Sequence, residues 1–337
     1  MPELRRDPVV GRWVIIAVER AKRPQDFPPI ENTNVTDEGV RTCPFCDGRE
    51  AKTPPEILAY RPDGGPNTPG WTVRVVPNKY PALMIEGELE RQGEGIYDRM
   101  NGIGAHEVIV ETPDHEATLA TMPLSQIQEF LRACVTRMND LEKDKRFKYI
   151  QVFKNVGEAA GASLEHPHSQ LIATPVVPKR VAEELEGAMA YFKYKERCVF
   201  CDILRQESRE GARIIFADDL FVTFVPYAPR FPFEVYIMPR RHASAFNEAA
   251  PEELGRFAFH LNLVIAKINK LLQTPPYNFM LHTAPCGQHD LEHYHWHLEI
   301  IPKLSKVAGF EWGTGLYINP TVPEHSALDL RNGDPQM

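Results

Sequence analysis

The chain repeats itself, and that repeat constrains its fold more tightly than any single motif. Leu164-Glu165-His166-Pro167-His168-Ser169-Gln170-Leu171 is echoed 127 residues later by Leu291-Glu292-His293-Tyr294-His295-Trp296-His297-Leu298, and Pro175 and Pro302 close the two copies. At the same offset Glu107-Val108 falls on Glu234-Val235, Val110 on Ile237 and His115 on His242. Upstream the register shifts, yet Cys43-Pro44-Phe45-Cys46-Asp47 still has a partner in Cys198-Val199-Phe200-Cys201-Asp202. Chance does not keep 51 residues between His115 and His166 and again between His242 and His293. The chain is a tandem duplication, with an N-terminal half over 1–180 and a C-terminal half over 181–337.

Hydrophobic periodicity assigns the same elements to both halves. Strands are expected at 13–18, 71–76, 107–110 and 149–154, and a helix over about 125–143, where Ile127, Phe130, Leu131, Cys134 and Met138 recur at helical spacing. The second half reads as strands at 221–225, 234–238, 277–282 and 293–301, with a helix from Pro251 to about Leu272. Residues 84–104 form the insertion that shifts the register, 309–315 reads as turn-rich, and 326–337 as a loose polar tail. The fold class is α+β, each half a mostly antiparallel sheet with a packed helix.

The chemistry concentrates where the first copy follows a glycine-containing loop. Asn155 to Ser163 reads N-V-G-E-A-A-G-A-S, and its glycines allow backbone amides to approach an anion. In the extended segment that follows, His166, His168 and Gln170 share one side. A neutral imidazole attacks phosphorus well near pH 7 and leaves again once phosphorylated, so His168 is the expected nucleophile. Gln170 can donate amide protons to a phosphoryl oxygen but cannot protonate a leaving group, which favours a covalent intermediate that waits for a phosphate acceptor.

Each half also carries a Cys-x-x-Cys pair and histidines, a donor set suited to tetrahedral zinc. Cys43, Cys46, His115 and His166 would close one site, and Cys198, Cys201, His242 and His293 a second. The second half holds more histidines than that needs, and Glu184, His282, His295 and His297 could build a different site instead. A closed Cys2His2 site leaves no position for water, so such a metal would be structural, positioning the histidine strand.

Composition excludes other classes. A net charge of −8 argues against general nucleic-acid binding, and no apolar run approaches a membrane span. The start, M-P-E-L-R-R-D, has no apolar signal region, which leads to the expectation of a cytoplasmic enzyme.

His166-Pro167-His168-Ser169-Gln170, preceded by Asn155, Gly161 and Ser163, resembles the active-site motif of the galactose-1-phosphate uridylyltransferases, a branch of the histidine triad superfamily. Gly11-Arg12-Trp13-Val14 and Arg20-Ala21-Lys22-Arg23-Pro24 resemble the N-terminal signature of that family. The resemblance implies that His168 is uridylylated by UDP-glucose, releasing glucose 1-phosphate, and that galactose 1-phosphate then takes the UMP. It implies that Asn155, Gly161, Ser163 and Gln170 contact the transferred phosphoryl group. It further implies a homodimer in which Arg20 and Arg23 reach the sugar nucleotide of the partner subunit.

Three features depart from the best-known members. The nucleoside-binding Asn-Asp pair of the family reads Asn78-Lys79 here, the hexose-binding tail reads Gly309-Phe310-Glu311-Trp312-Gly313-Thr314-Gly315, and a second Cys-x-x-Cys is present. These resemble a sister group that includes the plant ADP-glucose phosphorylases, where phosphate attacks an adenylylated histidine. The sequence thus leaves three readings: uridylyltransferase, adenylyl-transferring phosphorylase, and a zinc-stapled binding module without activity.

Overall fold

The computed structural model describes residues 3–16 and 43–333. In chain order its elements are β1 (Glu3–Arg6), β2 (Trp13–Ile16), β3 (Leu58–Tyr60), β4 (Val73–Pro77), β5 (Gln92–Glu94), β6 (Tyr97–Arg99), β7 (Ala105–Val110), α1 (Leu124–Leu141), β8 (Tyr149–Val156) and β9 (His168–Thr174). The second half continues with α2 (Lys179–Lys195), α3 (Val199–Glu210), β10 (Ile214–Ala217), β11 (Phe221–Phe224), β12 (Val235–Pro239), α4 (Pro251–Leu272), β13 (Tyr277–His282) and β14 (His297–Pro302). The chain closes with α5 (Gly309–Thr314), β15 (Tyr317–Asn319) and α6 (Pro323–Asn332).

One ten-stranded sheet, ordered β10-β11-β12-β14-β13-β8-β9-β7-β4-β3, carries both halves, and every pairing in it is antiparallel. From its centre outward the sheet runs β8-β9-β7-β4-β3 in one direction and β13-β14-β12-β11-β10 in the other. The duplication is therefore visible as a pseudo-twofold arrangement about the β8–β13 seam. In each half a helix crosses between the third and fourth strands, α1 after β7 and α4 after β12. The two helices pack on each other as well as on the sheet.

Local chemistry explains these elements. Proline opens α4 at a position that lacks an amide partner in any case, and the Glu253 carboxylate accepts the Ala250 N–H at 2.9 Å to cap its first turn. Leu254, Phe257, Leu261, Val264, Ile265 and Ile268 then recur on one face and are buried. Burying each such side chain contributes roughly 1.5–3 kcal/mol. Strand alternation supplies the opposite wall, with Val73, Val75, Ile109, Val152, Leu171 and Ala173 entering that core. The other face of the first half carries a smaller cluster in which Val76, Val108 and Val110 meet Cys43, Phe45 and Trp71.

Several sequence expectations are corrected here. Residues 323–332 are helical rather than loose, because Pro323 starts a turn that buries Ala327 and Leu330 beside α4 and β10. The stretch 309–315 forms the short α5, capped by Glu311 on the Ala308 N–H. Helices α2 and α3 and strand β15 were not expected, and β14 begins at His297, not His293. The 84–104 insertion carries the β5–β6 hairpin.

Candidate functional site

Strand β9 places the expected nucleophile. Ser169, Leu171 and Ala173 turn to the helix side, so His168, Gln170 and Ile172 turn to the other face. His168 is 7% exposed, and its Nδ1–H donates to the His166 carbonyl at 2.8 Å. That bond fixes the tautomer in which Nε2 keeps its lone pair. Burial first, and the nearby positive charge of Lys154 second, lower the pKa of the ring and keep it neutral. Beneath it the Lys154 ammonium lies 2.8 Å from both Glu111 oxygens and donates to the His168 carbonyl at 3.0 Å. Ser169 Oγ donates to the same carboxylate at 2.6 Å.

The loop from β8 closes over this strand. Gly157 and Gly161 have φ of 80° and 88°, in the left-handed region that L side chains occupy only under strain. A Cβ at Gly157 would also stand 2.9 Å from the Pro276 ring. Between them the turn Glu158–Ala160 brings the chain back toward Asn155. Asn278 of β13 fastens the arrangement, donating Nδ2 to Asn155 Oδ1 and to the Ala160 carbonyl, both at 2.8 Å. With its oxygen engaged, the Asn155 amide faces its surroundings as a donor. A cavity of about 620 Å³ is lined by His168, Asn155, Gly157, Ser163 and Tyr277. Asn78 lies two strands away, its N–H on the His106 carbonyl at 2.8 Å. Arg20 and Arg23 lie outside the described residues.

Cys43, Cys46, His115 and His166 come together as expected, their ligand atoms within 4.8 Å of one another. Cys46 Sγ is 3.4 Å from His115 Nδ1 and 3.7 Å from His166 Nδ1, and the two Nδ1 atoms are 3.3 Å apart. His166 Nε2–H donates to the Thr112 carbonyl at 2.8 Å, leaving the Nδ1 lone pair aimed into the cluster, the arrangement that orients a metal-binding imidazole. Without a cation, burial and then the adjacent Cys43 push the Cys46 thiol up to about 11. Burial holds His166 down at about 4, a neutral ligand form. These donors fit zinc.

The second half assembles a matching cluster with one change of membership. Cys198, Cys201 and His242 are joined by His295, not by His293. Cys201 Sγ lies 3.4 Å from His242 Nδ1 and 3.6 Å from His295 Nδ1. Their Nε2–H groups donate to the carbonyls of Leu291 and Pro239. His293 offers the cluster only its backbone, whose carbonyl lies 3.6 Å from Cys198 Sγ. The reason is a register difference. Strand β14 starts at His297, 129 residues after β9 starts at His168, and each starting histidine donates Nδ1–H to the carbonyl two residues back. His295 is therefore the counterpart of His166, and His297 of His168.

His282 and His297 instead join Glu184 in a third donor cluster, the imidazoles stacked 4.5 Å apart. His282 lies between Glu184 at 3.1 Å and Glu299 at 3.2 Å. Burial opposes its charge, but the two carboxylates carry its pKa to about 10. His297 is held at about 4, by burial first and by His282 second. Glu299 occupies the place of Gln170, two residues after the strand's starting histidine. A cavity of about 510 Å³ opens over Glu184, His297 and Glu299. A carboxylate, Glu299, stands here where the first half has the Gln170 amide, and the cavity beside it is lined by arginines as well, among them Arg12, Arg213 and Arg230.

Comparison with known proteins agrees with this geometry. Residues 1–178 match the N-terminal domain of galactose-1-phosphate uridyl transferase, and residues 103–330 match a domain of unknown function. The chain is 34% identical to galactose-1-phosphate uridylyltransferase of Thermotoga maritima over 98% of both chains. It is 40% identical to ADP-glucose phosphorylase of Arabidopsis thaliana, over 98% of this chain and 92% of that one. The chain belongs to the galactose-1-phosphate uridylyltransferase family. A crystal structure of an Arabidopsis thaliana ADP-glucose phosphorylase with bound ADP-glucose superposes with a TM-score of 0.84 at 39% identity, covering 98% of this chain and 99% of that one. A uridylyltransferase structure gives 0.76 at 30% identity, over 99% and 98%.

This member of the uridylyltransferase family is a transferase, and among its described residues no helix is long and apolar enough to cross a membrane. Sequence reasoning missed Asn278, Lys154, Glu111 and His106, which act on the site through side-chain contacts between distant positions. The one local signal was the alternation of β8 and β9, which places Lys154 and Ser169 on the helix side.

Proposed function

We propose that the chain transfers UMP from UDP-glucose to galactose 1-phosphate through a uridylyl group on His168. His168 Nε2 attacks the α-phosphorus, the bond to glucose 1-phosphate breaks, and a phosphate oxygen of the incoming sugar phosphate then displaces the imidazole. The observation that carries this is the His168–His166 carbonyl bond, which leaves Nε2 as the free nucleophile on a strand flanked by Asn155 and Gln170. Glucose 1-phosphate leaves as a stable anion and needs no proton, so the carboxamide of Gln170 suffices where a third histidine would otherwise stand. Asn155, Gly161, Ser163 and Gln170 are assigned to the phosphoryl group, Asn78 to the nucleoside, and Arg20 and Arg23 to the sugar nucleotide of the partner in a homodimer.

We assign zinc to Cys43, Cys46, His115 and His166, and a second zinc to Cys198, Cys201, His242 and His295. Each site uses all four positions for protein ligands and fastens a histidine loop. Such thiolate sites need a reducing compartment, which supports a cytoplasmic location. We place the boundary between the halves at residues 180/181, after β9.

A second reading, AMP transfer from ADP-glucose to inorganic phosphate, is favoured by Asn78-Lys79 in place of Asn-Asp and by the 40% identity to the plant phosphorylase. Intact-protein mass after mixing with UDP-glucose, UDP-galactose or ADP-glucose, each without acceptor, separates the two. A UMP adduct lost in His168→Asn supports the first, and an AMP adduct supports the second. No adduct with any donor would refute His168 as nucleophile.

A further inference from the structure

We infer that His106 is a positioning residue that sets the polarity of Gln170, so that the carboxamide presents its NH2, and not its oxygen, to the transferred phosphoryl group. The consequence for catalysis rests on the proposed phosphoryl-transfer reading; the hydrogen-bond assignment does not. Gln170 projects from β9 on the His168 face, and His106 stands diagonally across from it on β7, where Val108 pairs with Gln170 and His106 with Ile172.

The direction of the network follows from one donor that cannot reverse. The backbone N–H of Ala82 donates to His106 Nδ1 at 3.1 Å. A nitrogen that accepts carries no proton, so the ring is neutral and its proton sits on Nε2. His106 Nε2 lies 2.8 Å from Gln170 Oε1, so Nε2–H donates and the oxygen of Gln170 is the atom held against the histidine. The NH2 of Gln170 then faces away from His106, with no protein acceptor among the described residues.

The same logic orients Asn78. The N–H of Tyr80 donates to Asn78 Oδ1 at 2.9 Å, which leaves the Asn78 NH2 beside His106 Nε2 at 3.1 Å. Two donors cannot bond each other, so this contact is packing, and the Asn78 NH2 also keeps its donor capacity for a ligand. The His106 imidazole thus makes Gln170 a donor, and the Tyr80 N–H does the same for Asn78 on the same face. An anionic phosphate or a ribose oxygen is what such a face accepts. The second half, with Glu299 in the place of Gln170, lacks this polarity.

Two measurements test the assignment. In spectra of the protein labelled with 15N-histidine, His106 should show the Nε2–H neutral tautomer. An Nδ1–H tautomer or an imidazolium at neutral pH would overturn the inference, whatever the enzyme proves to transfer. The second reads the rate of nucleotidyl-His168 formation. His106→Gln keeps a donor close to the Nε2 position and should stay within about threefold of wild type, whereas His106→Glu offers only an acceptor, turns the Gln170 amide over and should lose about 100-fold. Gln170→Ala should lose a similar factor, and adding His106→Glu to it should cost no more than about twofold further. A His106→Gln variant as slow as His106→Glu would make the role merely structural and overturn the inference, as would a further large loss in the double variant. If wild type forms no adduct, the transfer reading fails, and the tautomer decides the assignment by itself.

Discussion

Replacing Lys154 by Met removes the cation beneath His168 and gives the sharpest test of how this site is supported. Glu111 is fully buried and Lys154 is 4% exposed, so neither charge has water to fall back on. Without the ammonium, Glu111 keeps only hydrogen bonds such as that from Ser169 Oγ, and an uncompensated buried charge costs about 3–5 kcal/mol. Glu111→Leu leaves the ammonium stranded instead, at a similar cost of about 3–5 kcal/mol. In the double variant neither charge remains. What is lost is the bond to the His168 carbonyl and that from Ser169 Oγ, about 1–3 kcal/mol in all. The single variants thus sum to about 6–10 kcal/mol against about 1–3 kcal/mol for the double, a coupling of at least about 3 kcal/mol. Guanidinium unfolding of the three variants and wild type, with zinc saturating throughout so that metal loss does not enter, measures it directly. A coupling below about 1 kcal/mol would mean that water or another group compensates the charges, and the account of a dry ion pair under the nucleophile would be wrong.

The other predictions concern the metals, the loop and the pH response. Zinc released on thiol modification should fall from about two equivalents per chain to about one in Cys43→Ser and in His295→Ala, while His293→Ala retains both; loss of metal in His293→Ala but not His295→Ala would restore the original ligand set. Asn278→Leu removes both bonds that hold Asn155 and Ala160, and should slow adduct formation by about 10-fold with less than about 2 kcal/mol lost in unfolding; an unchanged rate would show that the loop positions itself. His289 lies between Glu142 and Glu248, and although burial opposes its charge the two carboxylates raise its pKa. Its contribution is therefore fully present below the unfolded value of about 6.5 and is lost as pH rises through the higher folded value. The melting-temperature deficit of His289→Leu should be larger at pH 6 than at pH 9, and an equal deficit at both would show that the pairing is not electrostatic.

The parts of this structure that were legible in the sequence are those written in local pattern. Pro251 with a 3.6-residue apolar stripe announced α4, and alternation announced β13, both at the bounds observed. The first donor cluster was legible because Cys43 with Cys46 and His115 with His166 recur as pairs of matched spacing in the second half, as Cys198 with Cys201 and His242 with His293. The second was not, because His293-x-His295-x-His297 can be laid on His166-x-His168 in two frames, both preserving the facing of the strand. Only the pairing of β14 with β13 and β12 chooses between them. Helix α2 was missed because charged residues surround its few buried positions, Val181 and Ala188, whereas the apolar spacing of Val199, Phe200 and Leu204 in α3 was present and went unread. His106 and Asn278 were missed because their partners lie 64 and 123 residues away, and no local spacing encodes a neighbour on another strand.

That last distance bears on why the duplicated half was kept. On its own face His282 and Glu299 form a charged cluster at the place where the first half is proposed to meet phosphate. Yet the β8–β13 seam is continuous from Tyr277–Val156 to Leu281–Val152, and it is a second-half side chain, Asn278, that holds Asn155 and closes the glycine loop. Pro276, from the same segment, abuts Gly157 closely enough that no side chain could be added there. The loop of the first half is thus completed by side chains of the second. Cutting the chain at the seam would expose the central strand edges of the sheet and release the loop at once, so separating the halves should cost folding and chemistry together.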